Sequence, residues 1–100
     1  MAKKIIWSPR AKKDRWEILE YWHNRNRSKN YSRKLFRKFQ EAVQQIASHP
    51  EIGKITSFEK IRSFIVQDYL IIYEEFPDHI LILVIWHSRQ DPNKLEKILG

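Results

Sequence analysis

The feature that most constrains this chain is the stretch from Ile61 to Pro92, read as IRSFIVQ, DYLIIYEE, FPDH and ILILVIWHSRQDP. Three runs rich in Ile, Val, Leu, Phe and Tyr are separated by turn residues at Gln67-Asp68 and at Phe76-Pro77-Asp78-His79. That pattern predicts an antiparallel meander of three strands. Strict alternation puts Leu81, Leu83, Ile85, His87 and Arg89 on one face of the last strand, and Ile80, Ile82, Val84 and Trp86 on the other. Both faces are apolar, so this strand is expected in mid-sheet with a layer on each side. The hydrocarbon then gives way to His87, Ser88, Arg89, Gln90 and Asp91, a polar rim where function is sought. Arg62 shares the face of Phe64 and Val66 and is expected to reach that rim if the sheet curls.

The residues before the meander read as one strand and two helices. Lys3–Ser8 is a short strand, and Ser8-Pro9 starts a helix, with serine as cap and proline at the first helical position. Ala11, Arg15, Ile18, Leu19 and Trp22 recur at helical spacing to about Asn24. A polar turn, Arg25 to Asn30, leads to a second helix from about Asn30 to Ser48 with an apolar stripe of Tyr31, Leu35, Phe39, Ala42, Val43 and Ile46. His49-Pro50 ends it, and residues 51–60 form a connecting loop. After Asp91-Pro92 the tail predicts one or two helical turns carrying Leu95, Ile98 and Leu99. The fold class expected is therefore α+β: an N-terminal strand, an antiparallel helix hairpin, a three-strand antiparallel meander and a short C-terminal helical tail. Residues 1–100 are expected to form a single domain. The first strand joins an edge of the sheet or lies beside a later strand, and both placements stay open.

Charge is unevenly placed. Residues 1–50 carry 13 Lys+Arg against 4 Asp+Glu, and residues 51–100 carry 6 against 8, so a net +7 divides into +9 and −2. The positive half suits a polyanion, either nucleic acid or an acidic protein segment; a solvated helix surface is the plainer alternative. The chain has no cysteine, which excludes disulfides and thiolate metal sites. His23, His49 and His79 are scattered without ligand spacing, so no metal and no cofactor is expected. No glycine-rich phosphate loop is present. With no apolar run of membrane-spanning length and no secretory core at the N-terminus, a cytoplasmic protein without membrane contact is expected.

The stretches IIWSPRAKKDRWEILEYW, HPEIG, YLIIYEEFPDHILILVIWH and SRQDP, with Arg62 at the start of its strand, together resemble the RelE/ParE superfamily of type II toxins. The resemblance runs through nearly the whole chain in order and length. It implies a toxin neutralised by a cognate antitoxin, a small chain with an acidic or amphipathic segment, in a hetero-oligomer. Family members act in two ways: ParE-like toxins inhibit DNA gyrase, and RelE-like toxins cut messenger RNA on the ribosome without metal.

Metal-free RNA cleavage needs an acid, a base and cations on the phosphate. The catalytic set for a nuclease is then Arg62, His87 and Arg89, with Lys54, Lys60 and Trp86 as nucleic-acid contacts. Against it, RelE-like nucleases carry an Arg after the aromatic that opens the middle strand, where this chain has Tyr69-Leu70. The tail KLEKILG also offers no aromatic or histidine to stack on a base. The favoured expectation is a ParE-like gyrase inhibitor whose helix hairpin makes partner contacts through Arg15, Arg25, Arg33 and Arg37. The alternatives are the RelE-like ribonuclease and a non-toxic binding module of the same fold. His87 as a buried structural histidine and Arg62 paired with Glu74 or Glu75 are the purely structural readings of those residues.

Overall fold

A computed structural model describes residues 2–25 and 29–100. The elements run β1 (Lys4–Trp7), α1 (Pro9–Arg25), α2 (Lys29–Ser48), a 3₁₀ turn (Pro50–Ile52), β2 (Lys54–Ile55), β3 (Ile61–Val66), β4 (Tyr69–Glu75), β5 (His79–His87) and α3 (Pro92–Leu99). Part of the turn expected between the helices, with Arg27, lies outside the described residues. The five strands form one mixed sheet in the order β1-β5-β4-β3-β2. The meander forms as expected, β3 on β4 and β4 on β5, all antiparallel. β1 takes an edge and runs parallel to β5, Lys4 opposite His79 through Trp7 opposite Ile82. The loop expected over residues 51–60 contains one further short strand, β2, which pairs with Arg62 and Ser63.

The helices cover one face of the sheet. Leu35, Phe39, Ala42, Val43 and Ile46 of α2 and Ala11 of α1 pack with Val66, Tyr69, Ile71, Tyr73, Ile80, Ile82 and Ile85. Removing this apolar surface from water is the main favourable term for folding. A smaller cluster on the opposite face holds Ile72, Val84 and Trp86 under Leu95 and Leu99 of α3. Asp91 caps α3 by accepting from the Asn93 N–H at 2.9 Å, and Pro92 fills the first position. At α1, Ser8 Oγ accepts from the Ala11 N–H at 3.0 Å and donates to the Leu83 carbonyl at 2.8 Å. One hydroxyl thereby caps the helix and ties its start to β5. Among the described residues no helix is long and apolar enough to cross a membrane.

The expected parity of β5 holds only along half of the strand. Ile72 of β4 faces Val84, but the next residue, Tyr73, faces Ile82, so Leu83 is an extra residue in a β-bulge. Ile80 and Ile82 therefore lie on the helix side together with Ile85, while Leu83, Val84 and Trp86 meet α3. A bulge moves every later side chain to the other face, and a strand apolar on both faces hides that shift from a period-two reading.

Candidate functional site

A groove of about 510 Å³ opens between α1 and the C-terminal end of β5. Its walls include Arg10, Asp14, Tyr21, Trp22 and Arg25 from α1, Asp68 and Tyr69 from the β3–β4 turn and β4, and His87, Arg89 and Gln90 from the end of β5 and the residues after it.

The groove exists because β1 is shorter than β5. Past Ile82 the outer edge of β5 has no strand partner, and α1 crosses it instead. Asp14, a buried carboxylate, accepts from the Ile85 N–H at 3.1 Å through Oδ2 and from Arg10 Nε at 2.9 Å through Oδ1. A backbone donor that a sheet leaves open is thus satisfied by an acid whose charge is matched by arginine.

The floor is aromatic. Trp22 Nε1 donates to the Tyr69 hydroxyl at 2.7 Å. The Tyr69 ring meets the His87 ring edge-on, centroids 5.1 Å apart and planes at 88°. Burial raises the Tyr69 phenol above its ordinary 10.0, and the Trp22 hydrogen bond offsets part of that. His87 is half-buried, and its Nδ1 accepts from the Arg89 N–H at 3.0 Å. That bond puts the neutral ring's proton on Nε2, making it the ring's donor toward any ligand. Arg25 reaches the Tyr21 hydroxyl at 2.9 Å. The groove gathers guanidinium groups, an imidazole N–H and phenols beside the carboxylates Glu17 and Asp68. It can hold a polar side chain or an anionic group by hydrogen bonds, with stacking on Tyr21, which is half exposed at 51%.

The sequence-derived residues are divided by the fold. His87 and Arg89 meet at one rim, and Arg25, expected on a partner-binding helix face, joins them there. Arg62 does not. It lies opposite Tyr73, four residues along β3 from the Val66 position that leads across Tyr69 to His87. At ~3.3 Å per residue and ~4.8 Å per strand, Arg62 and His87 are about 16 Å apart along the sheet. The Arg62 guanidinium instead donates to the Gly53 carbonyl at 2.9 Å and the Glu51 carbonyl at 3.3 Å. The cross-strand ion pair with Glu74 or Glu75 is replaced by these backbone contacts, and Glu75 pairs with Lys3 at 2.6 Å.

Lys54 and Lys60 are exposed near the Arg62 end, Lys60 with a positive φ of 67°. Trp86 is 6% exposed, under α3, and its indole N–H has no hydrogen-bond partner. A ring so enclosed offers no open face for a base. Arg15 is held between rings, 4.4 Å from the Trp7 centroid and 5.9 Å from that of Phe36. This arrangement joins β1, α1 and α2 through a cation–π contact. Arg33 and Arg37 stand exposed on α2.

Two residues that sequence reasoning missed anchor this framework. Asp14 was legible as an acid on the apolar side of α1, three residues from Ala11 and four from Ile18. Tyr73 has its hydroxyl donating to the Pro50 carbonyl at 2.6 Å and accepting from the Gly53 N–H at 2.9 Å. Nothing distinguishes it from its apolar neighbours except that one polar atom in a buried run. Among the described residues no group of three His, Cys, Asp or Glu is placed to hold a metal ion.

Comparison with solved structures returns a chain of the chromosomal ParDE TA system from P. aeruginosa. It superposes with a TM-score of 0.75 at 14% identity, covering 88% of this chain and 98% of that one. At that identity the likeness is one of fold. No curated protein sequence matches. The family profile described as the ParE toxin of type II toxin-antitoxin system, parDE, matches residues 5–92, from the second residue of β1 to the start of α3. The protein belongs to the ParE toxin family of type II toxin-antitoxin systems.

Proposed function

We propose that this toxin acts by binding its target rather than by cutting RNA, that the target is DNA gyrase, and that a cognate antitoxin with an acidic, amphipathic segment neutralises it. The observation that carries this reading is the separation of the nuclease inventory. Arg62 is committed to the Gly53 and Glu51 carbonyls about 16 Å from His87. Leu70, where a nuclease carries arginine, packs in the α3 cluster, and Trp86 is enclosed there. Electrostatic stabilisation of a phosphorane requires its cations within contact distance of one phosphate, so His87 and Arg89 would lack their third member. The groove at the α1–β5 junction supports recognition, because its donors surround an opening instead of a buried reacting centre. Family membership supports the antitoxin, and the +9 half of the chain suits an acidic one.

Three assays separate the readings. Expression in a bacterial host should arrest growth, with relief by the small acidic protein encoded beside it; absence of arrest leaves the non-toxic module. Purified toxin should inhibit gyrase supercoiling, and no inhibition at high molar excess removes gyrase as the target. Programmed ribosomes should leave messenger RNA intact, and cleavage abolished by His87→Ala or Arg89→Ala would replace this reading with the ribonuclease.

A further inference from the structure

The N-terminal half of α2 carries Lys29, Arg33, Lys34, Arg37 and Lys38, with no carboxylate until Glu41. Four of these are exposed and Lys38 is half-buried. None takes part in an ion pair among the described residues, where the pairs are Lys3 with Glu75, Arg10 with Asp14, Lys13 with Glu17 and His79 with Asp78. They recur at helical intervals of four, as Lys29, Arg33 and Arg37 and as Lys34 and Lys38, so they form two adjacent cationic rows on the side away from the buried stripe.

This order of charge does not serve the helix. The first turn of α2 has no acid and the last turn no base. The cations lie toward the pole of the helix that is already positive, an arrangement that costs the helix stability. Cations placed only for solubility would be better tolerated in the second half, where the surface is instead Gln40, Glu41, Gln44 and Gln45. Charge stacked on the positive pole raises the local potential, and an anionic ligand turns that cost into attraction.

We infer that this ridge of α2 is a docking surface for the phosphate backbone of duplex DNA. From Lys29 to Lys38 the ridge runs about 13 Å at 1.5 Å per residue. Laid along the duplex axis, that length spans about four phosphates of one strand at ~3.4 Å of axial rise each. Of the aromatic residues of the stretch, Tyr31 packs on Trp22, with centroids 4.8 Å apart, and Phe36, exposed at 36%, lies near the Arg15 guanidinium. A ridge of five cations beside one partly exposed ring, already engaged by Arg15, favours the higher line charge of a duplex over a single strand, which is held by successive aromatic stacks. The contact reads charge and no base, so it is independent of sequence. It also does not depend on gyrase being the target.

The test is binding of a labelled DNA duplex to the intact toxin, followed by fluorescence anisotropy across salt. Four phosphate contacts predict a slope of log K against log salt of about −3.6, a loss of roughly 150-fold between about 50 and 200 mM. Arg33→Ala with Arg37→Ala should bring the slope to about −1.8 and the loss to roughly 12-fold. Arg33→Lys with Arg37→Lys should keep the wild-type slope. Circular dichroism confirms that each variant is folded, since the sites are exposed. A slope unchanged in the double alanine variant overturns the inference. So does polyglutamate or the single strand competing as well as duplex, which would assign the ridge to an acidic protein or to single-stranded nucleic acid. Because only toxin and naked DNA are present, this outcome is separate from that of the supercoiling assay.

Discussion

Replacing Tyr73 with phenylalanine removes one oxygen from beneath the 50–53 turn and leaves the ring in place. The side chain is fully buried, and its hydroxyl serves two backbone groups at once: the Pro50 carbonyl at 2.6 Å and the Gly53 N–H at 2.9 Å. No side-chain volume is lost beyond a hydroxyl, so the cavity term is small and the cost is that of the stranded partners. A buried group left without a partner costs about 1–3 kcal/mol. The Gly53 N–H is enclosed and bears the full penalty, whereas the Pro50 carbonyl, part-buried, recovers some by hydration. About 3 kcal/mol in all is expected. For a domain of this size that lowers Tm by roughly 12–24 °C. Urea unfolding followed by circular dichroism measures the difference directly, with the slope m unchanged. A loss under about 0.5 kcal/mol would show that water replaces the hydroxyl and that Tyr73 does not hold the turn.

Other substitutions probe the remaining anchors. Asp14→Ala strands the Ile85 N–H and leaves Arg10 without its carboxylate, so a loss of about 2–3 kcal/mol is expected in the same assay; Asp14→Asn, which retains an acceptor, should lose less, and equal losses would argue against the Ile85 contact. Arg62→Ala should lower stability by about 1.5–3 kcal/mol through its carbonyl partners, while toxicity, compared at a temperature where both proteins are folded, is unchanged. The Tyr69 and Tyr73 phenols are held above their ordinary 10.0 by burial. Stability should therefore be complete below about pH 10 and fall as the pH climbs further, because the unfolded chain releases protons that the native state retains. Tyr73→Phe should flatten that decline, and an alkaline titration of unfolding midpoints reports it.

The elements themselves were legible because each carries its own signal. Ser8-Pro9 starts α1, His49-Pro50 closes α2, and the Gln67-Asp68 and Phe76-Pro77 turns divide the meander. What escaped was relational. Arg62 and His87 share a face, but which end of the sheet each occupies follows from antiparallel pairing, and that pairing runs Arg62 to Tyr73 and Val66 to Tyr69. β1 ended against β5 because a strand preceding a helical hairpin can return parallel to the last strand, where Ile5 and Trp7 find the helix-side core. The two-residue β2 lies in a segment with no apolar alternation to mark it. Arg25, expected to make partner contacts from the helix hairpin, lines the groove only because α1 crosses the unpaired part of β5.

The supernumerary Leu83 decides which chemistry each side of the molecule displays. Were Leu83 kept and the bulge flattened into regular alternation, the imidazole of His87 would be sealed beneath the terminal helix and the Trp86 indole would occupy the groove floor beside Trp22; deletion of Leu83 would leave both where they are. Whether that one position is bulged or taken into regular alternation, a few residues upstream of either side chain, therefore selects between two alternative functional surfaces. Gain or loss of such a bulge at constant strand length is then a route by which relatives of equal fold and similar composition come to present different groups to their targets.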